Sequence, residues 1–315
     1  MSVIFTQCAA VLLDRAPPLE DLEKALESWS VTGPQQAAPG DEGWVASGPG
    51  FVLELTTGGA VIVDLVDRPW PDDPRSAGPG LVAAWRAGIF GPSASPGALA
   101  RAREQSWNWA GGAEAAARHR AFVRLRTLVK LSEDGTLPKG HDPVHELTTL
   151  VELAGDLLRL PGASALFLPG GEALRSREQV EEVHKRKAGL GAPPIELWTN
   201  TRAMGLGEHG GRRWALIDVV GMGQLRLPDQ EALFAENTED AEAVAPLLRN
   251  ACLHLLGGKG LGPGSTADDA HGKRWKGSSA TGLLAPGRPV VRWLPESAPP
   301  PGDAVLAALE KLRRG

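Results

Sequence analysis

Between Pro193 and Phe234 the chain reads as a β-hairpin leading into a helix, and no other stretch constrains the fold as much. Ile195, Leu197 and Thr199 alternate with Glu196, Trp198 and Asn200, a period of two that predicts a strand. Trp214 to Val220 is an apolar run of strand length broken by Asp218, and Gly207, Gly210 and Gly211 supply the turn before it. Gly221 and Gly223 stop that second strand. Pro228, Asp229, Gln230 and Glu231 then predict a helix start, with proline and cap residue in an unusual order. Nothing in this stretch is a catalytic signature.

With 315 residues, 42% hydrophobic and 23% charged, the chain has material for two domains or one large one with a sizeable core. A net charge of −5 gives no global attraction to nucleic acid or anionic lipid. No apolar run approaches the roughly 20 residues of a membrane span, and Asp14 interrupts the N-terminal apolar stretch before a signal peptide could be completed, so we expect a cytoplasmic protein. Cys8 and Cys252 lie far apart in apolar surroundings and are expected to be reduced and buried.

The element pattern predicts an α/β chain of the α+β type: two related domains, each a mostly antiparallel sheet with helices packed on one face. Residues 1–67 form the first, with a strand over Val3 to Leu13, a helix after Pro17 and Pro18, and two strands at Phe51–Leu55 and Ala60–Val66 joined by a tight turn at Thr56 to Gly59. Residues 68–118, dense in proline and glycine, read as a connecting region with short helices. Residues 119–315 form the second domain. It opens on Phe122 to Val129, where Arg124 and Arg126 predict a wetter strand face. A long helix capped by Asp142 with Pro143 in its first turn, a buried strand at Gly162–Leu168 and a charged helix from Ser176 to Lys187 follow. A helix over Thr238–Leu255 contains Pro246, which predicts a start nearer Asp240 or a kink. A long loop over 257–287, a strand at Val290–Leu294 and a final helix from Asp303 to Arg313 complete the chain. Internal duplication, residues 1–67 repeated in 120–220, is a further expectation.

Three pieces resemble a bacterial family known as domain of unknown function 4261: Glu196 to Asn200, Ile217 to Met222, and Leu227 to Glu231. The resemblance is concentrated at residues 193–234 and extends upstream through His119–Val123 and the helix-strand unit Leu147 to Leu168. Proteins of this kind occur beside secretion and toxin-immunity genes, so the resemblance implies a binding or immunity role. It brings no catalytic residue, and Asn200, Asp218 and Asp229 are the polar positions matching its pattern.

Read from the residues alone, no reactive set is complete. His141 and His145, four apart beside Glu146, have the spacing of metal ligands, but Pro143 puts His141 ahead of the helix and no third ligand is placed; solvated or capping histidines are expected, with no metal and no cofactor. The Gly257–Thr266 loop has no GxxxxGK[ST] and follows a helix where a phosphate loop follows a strand. Ser278 and Ser279 miss a nucleophile elbow because Thr281 stands where glycine belongs. We therefore expect a non-enzymatic protein-binding module, of the immunity or secretion-accessory kind. Its candidate contacts are Trp107, Trp109, Asn200, Asp218, Asp229 and the loop residues His271, Lys273, Arg274 and Trp275, since tryptophan and arginine are favoured interface anchors and the chain has ten tryptophans and no tyrosine. The alternative is a hydrolase in which the 257–287 loop is a mobile lid over Asp218, Asp229 and His271. Neither reading involves nucleic acid or a membrane.

Overall fold

The computed structural model describes residues 4–35, 44, 48–55, 59–134, 136–187 and 193–311. The expected α+β class is what forms, and the chain divides into two compact units, Met1–Trp198 and Thr199–Gly315. Among the described residues no helix is long and apolar enough to cross a membrane. The tight turn expected at Thr56 to Gly58, most of the Gly33–Gly43 loop and the basic tail past Lys311 lie outside the described residues.

The first unit contains, in chain order, β1 (Ile4–Phe5), β2 (Cys8–Leu13), α1 (Leu19–Ala25), β3 (Val31–Gln35), β4 (Gly50–Glu54) and β5 (Ala60–Val66). Then come α2 (Gly78–Arg86), α3 (Ala98–Glu104), α4 (Gly112–Arg118), β6 (Ala121–Lys130), α5 (Pro143–Leu157), β7 (Ala163–Leu168), β8 (Ala173–Arg175), α6 (Arg177–Lys187) and α7 (Ile195–Trp198). Its antiparallel sheet runs β3-β4-β5-β6-β2-β7-β8, and β1 continues β2 along β6 in the same register, Phe5 opposite Val129 and Cys8 opposite Arg126. All six residues of β2 are buried, because the strand is flanked by β6 and β7 and covered on both faces; such a strand shows an unbroken apolar run.

Three expectations are corrected here. Strand β6 lies between β5 and β2, so the chain does not divide near residue 119; of the stretch 120–220 expected to repeat residues 1–67, β6, β7 and β8 join the sheet of the first stretch, whereas its last two strands belong to the second unit. Residues 68–118 are a cover and not a connector: Trp70, Leu81, Phe90, Leu99, Ala102 and Ala116 pack in one cluster with Cys8, Ala10, Leu12, Phe122 and Phe167 of the sheet. Asp72 fixes part of this cover, its carboxylate accepting the Leu99 and Ala100 N–H groups at 2.9 and 2.8 Å at the start of α3, whose own cap residue offers no side chain. Arg124 and Arg126 are fully buried on that same face, paired to Asp64, and no strand face is wet there. Helix α5 contacts β2 and β6 and belongs to the opposite face; it is capped as expected, Asp142 accepting from the Val144 and His145 N–H groups at 3.0 Å.

The second unit contains β9 (Asn200–His209), β10 (Arg212–Val220), β11 (Asp229–Ala235), α8 (Ala241–Leu256), β12 (Thr266–Asp268), β13 (Arg274–Thr281), β14 (Pro289–Pro295) and α9 (Asp303–Lys311). The sheet order is β12-β13-β14-β11-β10-β9, with β11 and β14 parallel and the other pairs antiparallel. Gly210 and Gly211 turn the β9–β10 hairpin with φ of +61° and +73°, values that an L side chain adopts at a cost. One face of β10 and β11 carries Trp214, Leu216 and Leu233 into a cluster with Leu309 of α9, while α8 contacts the same two strands. Helix α8 starts at the Asp240 cap, as Pro246 suggested, and the proline stands inside it.

Between Pro193 and Phe234 the structure departs from the expected hairpin and helix in two places. Ile195–Trp198 is one helical turn closed by Ile195 N–H to Pro193 O and Leu197 N–H to Pro194 O, and its Ile195, Leu197 and Trp198 are all buried; the strand starts only at Asn200. The helix expected from Pro228 is strand β11, because pairing to β10 on one side and β14 on the other outweighs local helix-start chemistry. About a third of the 257–287 loop is likewise strand, the three residues of β12 and the eight of β13.

Candidate functional site

In the first unit the sharpest polar constellation is built where β6 ends and α5 begins. Asp142 caps α5, which leaves His141 just outside the helix and turns Glu146 in the first turn toward the core, where it is 3% exposed. His141 Nε2 lies 2.9 Å from Glu146 Oε1. Glu146 Oε2 accepts from Thr127 Oγ1 at 3.0 Å, and that hydroxyl oxygen accepts in turn from the Gln7 N–H at 3.0 Å. The backbone donor commits the Thr127 proton to Glu146 Oε2, and Oε1 is the oxygen that faces the imidazole. Phe5 packs edge-on against the His141 ring, centroids 4.9 Å apart. Neither solvation nor capping describes His141, whose side chain is only 6% exposed. Among the described residues no group of three or more His, Cys, Asp or Glu side chains is placed to hold a metal.

Burial pushes the Glu146 carboxyl up to about 7; the Thr127 hydroxyl opposes the rise and the Asp142 charge adds to it. The unfolded carboxyl titrates near 4.5, so between these values the fold holds a proton that the unfolded chain has released. Stability therefore falls as pH rises through that window and levels off above it. Glu146→Gln is uncharged throughout and keeps an acceptor for Thr127. We expect it to match the parent near pH 4 and to exceed it by about 1–2 kcal/mol at pH 8, as read from urea unfolding at the two pH values.

The expected site residues of the second unit fall into two groups. Asp218 belongs to a row of charges in register across four strands: Arg202 on β9, Asp218 on β10, Glu231 on β11 and Arg292 on β14 are successive cross-strand partners. Arg202 Nε donates to Asp218 Oδ1 at 2.9 Å and Arg292 Nε to Glu231 Oε1 at 2.6 Å, while Glu231 Oε2 accepts the Leu283 N–H at 2.8 Å. All four are nearly inaccessible. Asp229, on the same face, accepts the Gly221 and Met222 N–H groups at 2.9 and 2.8 Å and so ties off the turn after β10. Burial raises its carboxyl to about 6, against the pull of Arg288 and of those two amides. Asn200 is buried opposite Val220 at the start of β9. A strand slip of one residue would separate every pair in the row, which ties these charges to register.

The other group surrounds the β12–β13 turn. Asp269 accepts the His271 and Lys273 N–H groups with one oxygen and the Trp275 indole N–H, at 3.1 Å, with the other. Trp275 is fully buried, edge-on to Phe234, and is a core residue, not a surface anchor. Lys273 reaches Glu239 at 2.9 Å, Arg274 pairs with Asp268, and His271 lies 3.8 Å from Asp240; these three side chains are exposed. Cys8 and Cys252 are free and buried as expected, and burial pushes the Cys8 thiol up to about 12, far from a reactive thiolate.

Trp107 and Trp109 part company. Trp109 packs against the aromatic cluster of the cover, whereas Trp107 is 68% exposed. The loop that presents Trp107 is fixed by Trp109 N–H to Ser106 O at 3.0 Å, Gly112 N–H to Trp109 O at 2.9 Å, and the Gln179 amide on Asn108 O at 2.8 Å. The Trp107 indole N–H itself donates to Gln105 Oε1 at 2.6 Å.

No family model, no curated protein and no solved structure matches this chain, so the likeness at residues 193–234 rests on the residues that carry it.

Proposed function

We propose that the chain is a protein-binding module and that Trp107 is its anchor. The observation that carries this reading is a tryptophan left 68% exposed on a loop whose backbone is tied on both sides. A large ring held out in water by a pre-ordered loop loses little entropy when a partner closes over it, and such side chains dominate interface energies. An immunity or secretion-accessory role, which the resemblance implies, is one setting for such a module.

Trp107→Ala is expected to leave folding stability within about 0.5 kcal/mol, because the side chain buries little. Loss of an anchor of at least 2 kcal/mol would weaken capture of the partner about thirtyfold. Parent and variant immobilised side by side, with the retained protein identified by mass and titrated back against each, test this. Equal affinity for both chains would remove Trp107 from the interface, and no reproducible partner would remove the reading.

A further inference from the structure

The His141–Glu146 pair does not end in solid core. It forms part of the wall of a cavity of about 440 Å³, bounded by Gly59 and Ala60 at the start of β5, Leu128 to Lys130 at the end of β6, and Pro138 to Asp142 at the entry to α5. That volume suits a small metabolite. Two lysines, Lys130 and Lys139, are among its lining residues, and both are exposed. Asp142, the one other carboxylate of the lining, is committed to two backbone N–H groups at the helix start.

We propose that this cavity binds a small anionic metabolite, one bearing a carboxylate or phosphate group, and that binding is coupled to the protonation of Glu146 in its wall. The ligand's charge is set by the lining. With Glu146 neutral the cavity carries two ammonium groups against one carboxylate already satisfied by helix amides, an excess of positive charge that an anion offsets. Coupling follows from distance. An anion beside the lysines sits in the same small cavity as Glu146, so ionising Glu146 sets like charges together, and binding favours the protonated carboxyl. Among the described residues, the charged and titratable groups that line the cavity with Glu146 are Lys130 from β6 and Lys139, His141 and Asp142 from the segment entering α5; β5 contributes Gly59 and Ala60, neither of them charged.

Calorimetry on the full chain with oxalate and with sulfate tests the proposal, since neither anion titrates between pH 6 and pH 8. Saturable binding at pH 6 is expected, with affinity falling about tenfold by pH 8 as the protonated fraction of a group titrating near 7 falls. Oxalate the tighter of the two would assign a carboxylate ligand, and sulfate a phosphate. Glu146→Gln should bind with the same affinity at both pH values. The double variant Lys130→Ala/Lys139→Ala, with its fold checked by circular dichroism, should lose at least tenfold. The proposal is overturned if neither anion saturates at millimolar concentration, if the parent binds equally at both pH values, or if the lysine variant binds like the parent.

Discussion

Asp64→Ala is expected to destabilise the first unit by about 3–5 kcal/mol, enough to leave a chain of ordinary stability partly unfolded at 37 °C. Asp64 is 0% exposed, and Arg124 and Arg126, at 0% and 2%, both turn toward it. Arg124 places Nε 3.1 Å and Nη2 2.8 Å from Asp64 Oδ2, and Arg126 Nη2 lies 3.6 Å from Oδ1. Removing the carboxylate leaves two buried guanidinium groups without the counter-charge they share. The penalty is that of uncompensated buried charge and exceeds the net worth of the pair itself. Urea unfolding followed by circular dichroism gives the number. Asp64→Leu combined with Arg124→Met removes one charge of each sign and should cost clearly less than Asp64→Ala alone. A loss below 1 kcal/mol for the single variant would mean that water reaches the pair.

Trp70→Ala should cost a similar amount for a different reason. The ring is 4% exposed and lies 5.0 Å from Phe167, 5.2 Å from Phe90, 5.3 Å from Phe122 and 6.3 Å from Trp85, centroid to centroid. It thus joins the 68–118 cover to strands β6 and β7, and truncation opens a cavity between two layers that cannot both collapse into it. Large aromatic-to-alanine changes of this kind cost about 3–5 kcal/mol. Loss of near-ultraviolet dichroism at temperatures where far-ultraviolet dichroism persists would show the cover loosening before the sheet. Trp70 Nε1 is buried and makes no hydrogen bond among the described residues, so Trp70→Phe gives up no polar partner and should cost less than about 1.5 kcal/mol. Equal losses for the two variants would contradict this account.

Glu146 shows how a candidate site escapes a linear reading. The residue is visible in the sequence beside His141 and His145, where its type and spacing suggest only an incomplete metal set. What makes it titrate near 7 is burial, and what orients its carboxyl is Thr127, nineteen positions earlier on β6, together with the Gln7 amide just ahead of β2. The tryptophans were ambiguous in the same way: neighbours of one type, two positions apart, divided by which ring the cover could accommodate.

By itself the sequence determined whatever depends on neighbours within a few residues. It specified the α+β class, the unbroken apolar strand β2, the Asp142–Pro143 start of α5, the Asp240 cap of α8 and the burial of both cysteines, because periodicity, capping and side-chain transfer act locally. Tertiary structure alone decided that Arg124 and Arg126 lie in the core, that Asp229 opens a strand, that residues 68–118 close a sheet, and that the chain divides after Trp198. Each of those outcomes turns on a partner remote along the chain, Asp64 sixty positions from Arg124 and Glu231 sixty-one from Arg292. A buried charge or an unpaired strand edge is tolerable only when its complement arrives from elsewhere, and that arrival has no local signal.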